Sequence, residues 1–504
     1  MRVGAISLYL SIGLFVASTG NAWCITGDAP SWNISPQIAQ PDFIRSKIHT
    51  CVHERDEAGA AACTEFIQNG NLSQESLTWA YFDRGLDDIG FKNYAAAVSD
   101  FTVGLKYNSK DHEALYWRGV AQLGLNKAPD AISDFNTAIS IDSKVAVYFL
   151  QRGRAYRDLS LHDLALNDFT SAIALDQANK EALRSRGLER ARLGKYDDAI
   201  DDYNAALKLS PDDALVLAFR GDAFAEKHQT DKALDDYNAS IRISPIYVSS
   251  YFGRAEVERG LGQYDKAVAD FTKTIELDPN NSVAMVDRGV CERHLGQYDA
   301  ALSDLNHALV LKPQDPYALA ERGAIYFNSD RLSEALADLN ASLKLKSDNV
   351  FALVERGNLF LKQRSFELAI ADFDHATELK PDDPVPFNDR CWARAIQNRN
   401  LDLGLADCNK ALQIRPSYGN ALGSRGFVNF RLNKPQAAID DSSAALAIDP
   451  KSSPTLFVRG LAKRQLGDTA GADADVQAAV KLDSAIEQEF ASYGVTDKNS
   501  AATR

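Results

Sequence analysis

Apolar positions along most of this chain recur three or four residues apart, the spacing of amphipathic helices, and the helical runs come in pairs. Around Gly187, one run covers Glu181–Leu193 and a second covers Asp197–Leu209. Gly194-Lys195 marks the turn between them. Ser210-Pro211 ends the second run, because proline cannot donate the next helical hydrogen bond. The pair predicts a helical hairpin.

The hairpin recurs in fixed phase. Arg84-Gly85, Arg118-Gly119, Arg152-Gly153, Arg186-Gly187 and Arg220-Gly221 follow one another at steps of 34 residues. Arg254-Ala255, Arg288-Gly289, Arg322-Gly323, Arg356-Gly357 and Arg390-Cys391 continue the series. After one inserted residue come Arg425-Gly426 and Arg459-Gly460, which makes twelve repeats. Seven of them place proline after the second helix: Pro211, Pro245, Pro279, Pro313, Pro381, Pro416 and Pro450.

The small residues predict close helix packing. Eleven repeats carry alanine twelve residues after the glycine site, as at Ala97, Ala131, Ala199 and Ala267, and repeat ten has Gly404. Glycine on one helix and alanine on the other let two axes approach, where a bulky group would force the hairpin open. Four residues beyond the alanine comes Phe101, Phe135, Phe169, Tyr203, Tyr237 or Phe271. These share the alanine's face, and we expect them to fill the space between one hairpin and the next.

This pattern resembles the tetratricopeptide repeat family, over residues 78–486. The resemblance implies an all-α fold, a right-handed α-solenoid of antiparallel helix hairpins. It also implies that the first helices line a concave groove that binds peptides or protein surfaces. The chain departs from the family's common pattern in having Arg before every glycine site and Asp fifteen residues after it, from Asp100 to Asp475, with repeat ten displaced to Asp407. We expect a ladder of bidentate Arg–Asp pairs within or between hairpins. The competing reading is an arginine stripe for acidic ligands.

Composition adds boundaries. With 45% hydrophobic and 25% charged residues, the chain is ordinary for a folded protein. Its formal net charge of -14 argues against nucleic acid or an anionic membrane as main partner and leaves room for basic peptides. Arg2, the apolar run Val3–Ala17 and the small residues Gly20-Asn21-Ala22 read as a signal peptide over 1–22, too short for a comfortable membrane span. The alternative is an uncleaved anchor. A lipoprotein reading is weaker, because Trp23 precedes Cys24. Pro30, Pro36 and Pro41 mark an extended lead over 23–41, and residues 42–77 read as a degenerate helical cap. A final helix over Ser484–Tyr493 is expected to lie over repeat twelve, its end at 487–494, with a loose tail over 495–504. Export points to a periplasmic or secreted protein, in a Gram-negative bacterium.

An oxidising compartment permits disulfides. Cys51 and Cys63 flank a turn expected at Asp56–Gly59. Cys391 takes a glycine site, and Cys408 takes the aromatic site on the facing helix. We therefore expect Cys51–Cys63 and Cys391–Cys408 bonds, while Cys24 and Cys291 have no clear mates. His49, Cys51, His53 and Cys63 include zinc-type side chains but lack Cys-x-x-Cys spacing, so no metal is expected. Nucleophile, phosphate-loop and dinucleotide motifs are absent in usable context, and neither catalysis nor a cofactor is expected.

Family resemblance points three residues before the glycine site, and one and four after it, toward the groove. Early repeats place Phe82, Leu86, Ile89, Tyr116 and Leu123 there. The middle places Arg154, Arg157, Arg184, Asp222, Glu256, Arg259 and Arg293 there, and late repeats Phe327, Leu361, Trp392, Phe427, Phe430 and Phe457. Aromatic and arginine side chains are common binding anchors. The plainer reading is that several only pack between neighbouring helices. The Lys-then-Asn pair with which some family members clamp a chaperone's C-terminal carboxylate is missing: Tyr116 with Val120, or Val354 with Asn358, does not match. The leading reading is a non-enzymatic periplasmic scaffold for protein or peptide ligands, without a membrane span after cleavage. The alternatives are an assembly or targeting subunit of a secretion, envelope or polymer-export machine, and a regulatory module of a separate enzyme.

Overall fold

A computed structural model describes residues 57–68 and 73–496. The chain divides into two compact units, Met1–Gly262 and Gln263–Arg504. Among the described residues all regular structure is α-helical, from Glu57–Gln68 to Ile486–Ser492, as an all-α solenoid requires. The leader expected over 1–22, the lead expected over 23–41, the first part of the expected cap and the expected tail from 497 lie outside the described residues.

The repeat sequence dictates each hairpin locally. Eight of the twelve first helices start on a side-chain cap: Asp111, for example, accepts from the Ala114 N–H at 3.0 Å, Asn179 from Ala182 at 2.9 Å and Asn281 from Ala284 at 3.0 Å. Such caps satisfy donors that a helix start leaves unpaired. Seven residues after the glycine site the backbone turns left-handed, at Asn126, Gly194, Gly296 and Asn433 for example, where glycine and asparagine bear the positive φ most easily. In repeat ten the inserted residue lies in this turn, between Asn398 and Asn400, both left-handed.

In the hairpins that carry both, the ring four residues past the alanine lies on the glycine. A Cβ added to Gly119 would stand 2.6 Å from the Phe135 ring, and one on Gly357 2.5 Å from Phe373. This corrects the expectation that these rings mainly fill the space between hairpins. They close their own hairpin first, and only some reach onward, as Tyr237 does against Gly253.

The Arg–Asp ladder is built as bidentate pairs. Arg118 donates through Nε and Nη2 to Asp134 at 2.8 and 2.6 Å, and Arg356 donates likewise to Asp372 at 2.8 and 2.7 Å. The same geometry joins Arg84, Arg152, Arg186, Arg220, Arg288, Arg322, Arg390, Arg425 and Arg459 to their aspartates. Arg254 belongs to the first unit and its counterpart Asp270 to the second.

The remaining nitrogen reaches backward. Nη1 of Arg118 donates to Thr102 at 3.2 Å, that of Arg220 to Asn204 at 2.7 Å and that of Arg356 to Asn340 at 2.7 Å. One guanidinium thus closes its own hairpin and ties it to the preceding one. The aspartates are buried, so removing one partner would strand a charge, a loss of about 3–5 kcal/mol.

Within each unit the first helices of successive repeats touch one another, as Ala214–Glu226 touches Val248–Gly260 and Pro316–Asn328 touches Val350–Lys362. Successive second helices make no comparable contact among the described residues. The first helices therefore form the inner layer of each unit's curve.

Two boundaries differ from the sequence reading. The first helix of repeat one starts at Gln74, capped by Ser73, one turn before Thr78, where the phase of the other first helices places the start of the repeat. The turn expected at Asp56–Gly59 is helical from Glu57 onward.

Candidate functional site

The inner layer of the first unit begins apolar. Phe82, Leu86, Ile89 and Leu123 are half-buried and pack on one cluster with Phe101 and Phe135. Tyr116 is buried, with ring centroids 6.1 Å from Phe135 and 5.1 Å from Tyr148. Burial pushes its hydroxyl up to about 12. The His112 ring nitrogen lies 2.7 Å from the Tyr148 hydroxyl. These residues serve packing between first helices as much as any surface.

Arginines follow. Arg154 donates to Glu181 on the next first helix at 2.8 Å. Arg157 is different: its nearest carboxylate, Asp158, stays 3.6 Å away. Burial lowers the Arg157 guanidinium below its ordinary value, and Arg154 and Arg192 add like-charge repulsion against the attraction of Asp158. Arg184 and Arg192 are half-buried, and among the described residues no carboxylate pairs with either. Glu189, fully buried, is bound at 2.5 Å by His162 instead. Asp222 accepts from the Tyr237 hydroxyl at 2.6 Å, and burial raises its carboxyl to about 6 against that hydrogen bond. Glu256 and Arg259 form a pair along one helix, at 2.7 and 3.0 Å.

The inner layer of the second unit is acidic by comparison. Arg293 donates to Glu321 at 2.9 Å and lies 5.5 Å above the Phe351 ring. Burial raises Glu355 to about 7 and Asp389 to about 6, the former despite Arg293 and the latter despite hydrogen bonds from Asn388 and Asn358. Glu321, Glu355 and Asp389 all stand two residues before the glycine site, in consecutive repeats. The groove rule used on the sequence skipped that position, although the 34-residue phase displays it. Phe327 is half-buried with Lys362 over its ring at 5.5 Å, and Leu361 packs on Phe373.

At the C-terminal end the sequence reading needs correction. Phe427 and Phe457 are fully buried, and Phe430 is nearly so. Trp392, half-buried, joins them in one aromatic cluster closed by Phe490 of the last helix. The apolar end of the groove is covered by the chain itself, and the last helix lies on the inner layer instead of merely capping repeat twelve.

Cys391 and Cys408 lie within this cluster, with Cα atoms 5.6 Å apart and sulfurs at bonding distance. They occupy the glycine and ring sites, which touch in every neighbouring hairpin that has both. Cys291 and Cys63 are buried, while Cys24, His49, Cys51 and His53 lie outside the described residues. Among the described residues no group of histidine, cysteine and carboxylate side chains is placed to hold a metal ion. No helix there is long and apolar enough to cross a membrane.

Comparison with known proteins agrees with this architecture. A tetratricopeptide repeat profile matches residues 82–146, 150–214, 185–245, 252–316 and 321–384, together more than half of the chain. An Arabidopsis thaliana protein, TPR repeat-containing thioredoxin TDX, is 34% identical over 89 residues, 18% of this chain and 23% of that protein. Drosophila melanogaster Hsc70-interacting protein 1 is 37% identical over 93 residues, 18% and 24% of the respective chains. The chain thus spans about a quarter of the length of these curated relatives. Among solved structures, the Cut9-Hcn1 hetero-tetramer of the APC/C contains a chain similar over 90% of this one and 96% of its own length, with a TM-score of 0.51 and 13% identity. That likeness concerns the fold. The profile, the hairpin geometry and the phased Gly, Ala and ring sites agree that the chain belongs to the tetratricopeptide repeat family.

Proposed function

We propose that this chain is a non-enzymatic scaffold that holds protein or peptide segments against the inner layer of its first helices. A family built for protein interaction supports the general reading. One observation supports a specific face. Arg157 and Arg184 are half-buried on the inner layer of repeats three and four, without a carboxylate at hydrogen-bond distance among the described residues. Every Arg of the ladder whose pair lies within one unit has a bidentate aspartate, so these two stand out as charges kept for another molecule. The apolar strip around Leu86 and Leu123 lies on the same layer. The ligand that fits is a segment with carboxylates flanked by apolar side chains.

The proposal includes export through the leader at residues 1–22 to a periplasmic or secreted location, and a Cys391–Cys408 bond formed there. Recovery of a mature chain that starts at Trp23, with a cross-linked Cys391–Cys408 peptide under non-reducing conditions, supports this part. A retained leader or free thiols in the exported fraction would overturn it. Chaperone-tail binding does not carry over from the Hsc70-interacting relatives, because Tyr116 with Val120, and Val354 with Asn358, provide no lysine clamp.

The experiment for binding compares the mature chain with an Arg157→Ala/Arg184→Ala variant, by quantitative capture from an extract of exported proteins. Anchoring arginines often contribute 2 kcal/mol or more, so capture of the partner should fall at least about tenfold. The thermal transition should hold, since neither side chain closes a buried pair. An unchanged captured set would refute the arginine face, and no partner above a scrambled-face control would refute the scaffold reading.

A further inference from the structure

The last helix, Ile486–Ser492, is held from two directions. Its side chains enter the inner layer of the second unit. Ile486 and Phe490 are fully buried, and the Phe490 ring centroid lies 4.9 Å from Phe457, 5.2 Å from Phe427 and 6.4 Å from Trp392. Those three residues come from the first helices of repeats twelve, eleven and ten. One phenylalanine therefore bridges three repeats on a single face.

Its C-terminal end is read by two arginines. Arg431 donates through Nη2 to the Tyr493 carbonyl at 2.6 Å, and Arg364, in the turn of repeat nine, donates through Nη1 to the Ser492 carbonyl at 3.0 Å. A helix leaves its last carbonyls unpaired and partially negative, so guanidinium groups suit that end. Arg431 stacks 5.1 Å over Phe427, and among the described residues no carboxylate pairs with it. Burial lowers it to about 10. This arginine, like Arg157, is held for something other than a ladder aspartate.

Val495 is buried in the same cluster and Tyr493 packs against it, while the other side chains of the segment face outward. Glu487, Gln488, Glu489, Ala491 and Ser492 are exposed. A helix of this length has no stability of its own. Only Asp483-Ser484-Ala485 tether it to the second helix of repeat twelve.

We propose that residues 486–495 are an internally tethered ligand of the inner layer of repeats nine to twelve, which a partner displaces. The partner that fits is a short amphipathic helix with an aliphatic residue, an aromatic one four positions later, and a free C-terminal turn for Arg364 and Arg431. This surface is separate from the arginine face of the first unit: failure of capture there leaves the outcome here unaffected.

The test uses the full mature chain and a fluorescent synthetic peptide spanning Ser484–Thr496. A tether of this kind gives the internal segment an effective concentration around millimolar, so the unmodified chain should bind the probe poorly. Phe490→Ala weakens the internal copy, and that chain should bind the probe at least about tenfold more tightly. Adding Arg431→Ala should abolish the gain. In the unmodified chain, amides of 487–495 should exchange at least about tenfold faster than those of Ser453–Gln465. A Phe490→Ala chain with unchanged helix content that ignores the probe overturns the proposal. So does protection of 487–495 equal to that of repeat twelve, which decides the matter alone should the variant not fold.

Discussion

Glu292 shows how one residue can work against its rung of the ladder. It stands three residues past the glycine site, where Arg190, Asn429 and Lys463 bind the ladder aspartates of their own repeats at 2.8, 2.9 and 2.8 Å. Glu292 brings a second carboxylate to Asp304 instead, with Arg288 4.0 Å away. Burial, then Asp304, raise its carboxyl to about 7 against the pull of Arg288. A raised acid favours the folded state only while protonated. Its contribution is therefore complete below the ordinary glutamate range near 4.5 and is lost as pH rises through about 7. Glu292→Gln removes the charge and keeps the shape. At pH 8 the variant should gain roughly 1 kcal/mol in urea unfolding, after discounting for solvent, and near pH 4 it should match the parent. A gain of equal size at both pH values would show that the charge of the glutamate is not the cause.

Helix hairpins depend on the close approach at the glycine sites. Alanine normally favours a helix over glycine, and Gly90→Ala, with nothing within 4 Å of the new Cβ, should stabilise by about 0.5 kcal/mol. Gly357→Ala should do the reverse, because its Cβ would stand 2.5 Å from Phe373. A cost of roughly 1–3 kcal/mol is expected in thermal or urea unfolding, and equal effects at the two sites would contradict the packing. Such sites were legible in the sequence because ten of the twelve repeats restate them. The Arg–Asp pairing was legible for the same reason. Its third bond, to Thr102, Asn136, Thr170 or Asn204, was overlooked, although a short polar residue stands two places after the ladder aspartate in each of these repeats. The destination of the last helix was not legible. Ile486, Phe490 and Tyr493 announce an amphipathic turn, but nothing local says that its apolar side meets Trp392 and Phe427. That contact follows from curvature accumulated over three repeats, and no 34-residue window contains it.

A solenoid passes stress mainly between neighbours, so the whole molecule should respond to damage locally. The Cys391–Cys408 pair offers a way to see this. The bond proposed between them would close a short loop across the hairpin of repeat ten, at a sequence separation of 17. A bond over a loop of this size contributes about 3 kcal/mol, largely by restricting the unfolded chain. Both cysteines also belong to the cluster containing Phe427 and Phe490, and Trp392 stands beside Cys391. Reduction should therefore weaken repeat ten first. The last helix should follow, since its anchoring ring lies on that repeat. Repeats one to five should not notice. Amide exchange read peptide by peptide, before and after treatment with a thiol reductant, separates these cases. Faster exchange confined to residues 384–495, largest at 384–414 and 486–495, is the expected result. Equal acceleration in Gln74–Ile243 would mean that the chain unfolds as one cooperative body, and the neighbour-by-neighbour account of its stability would have to be abandoned.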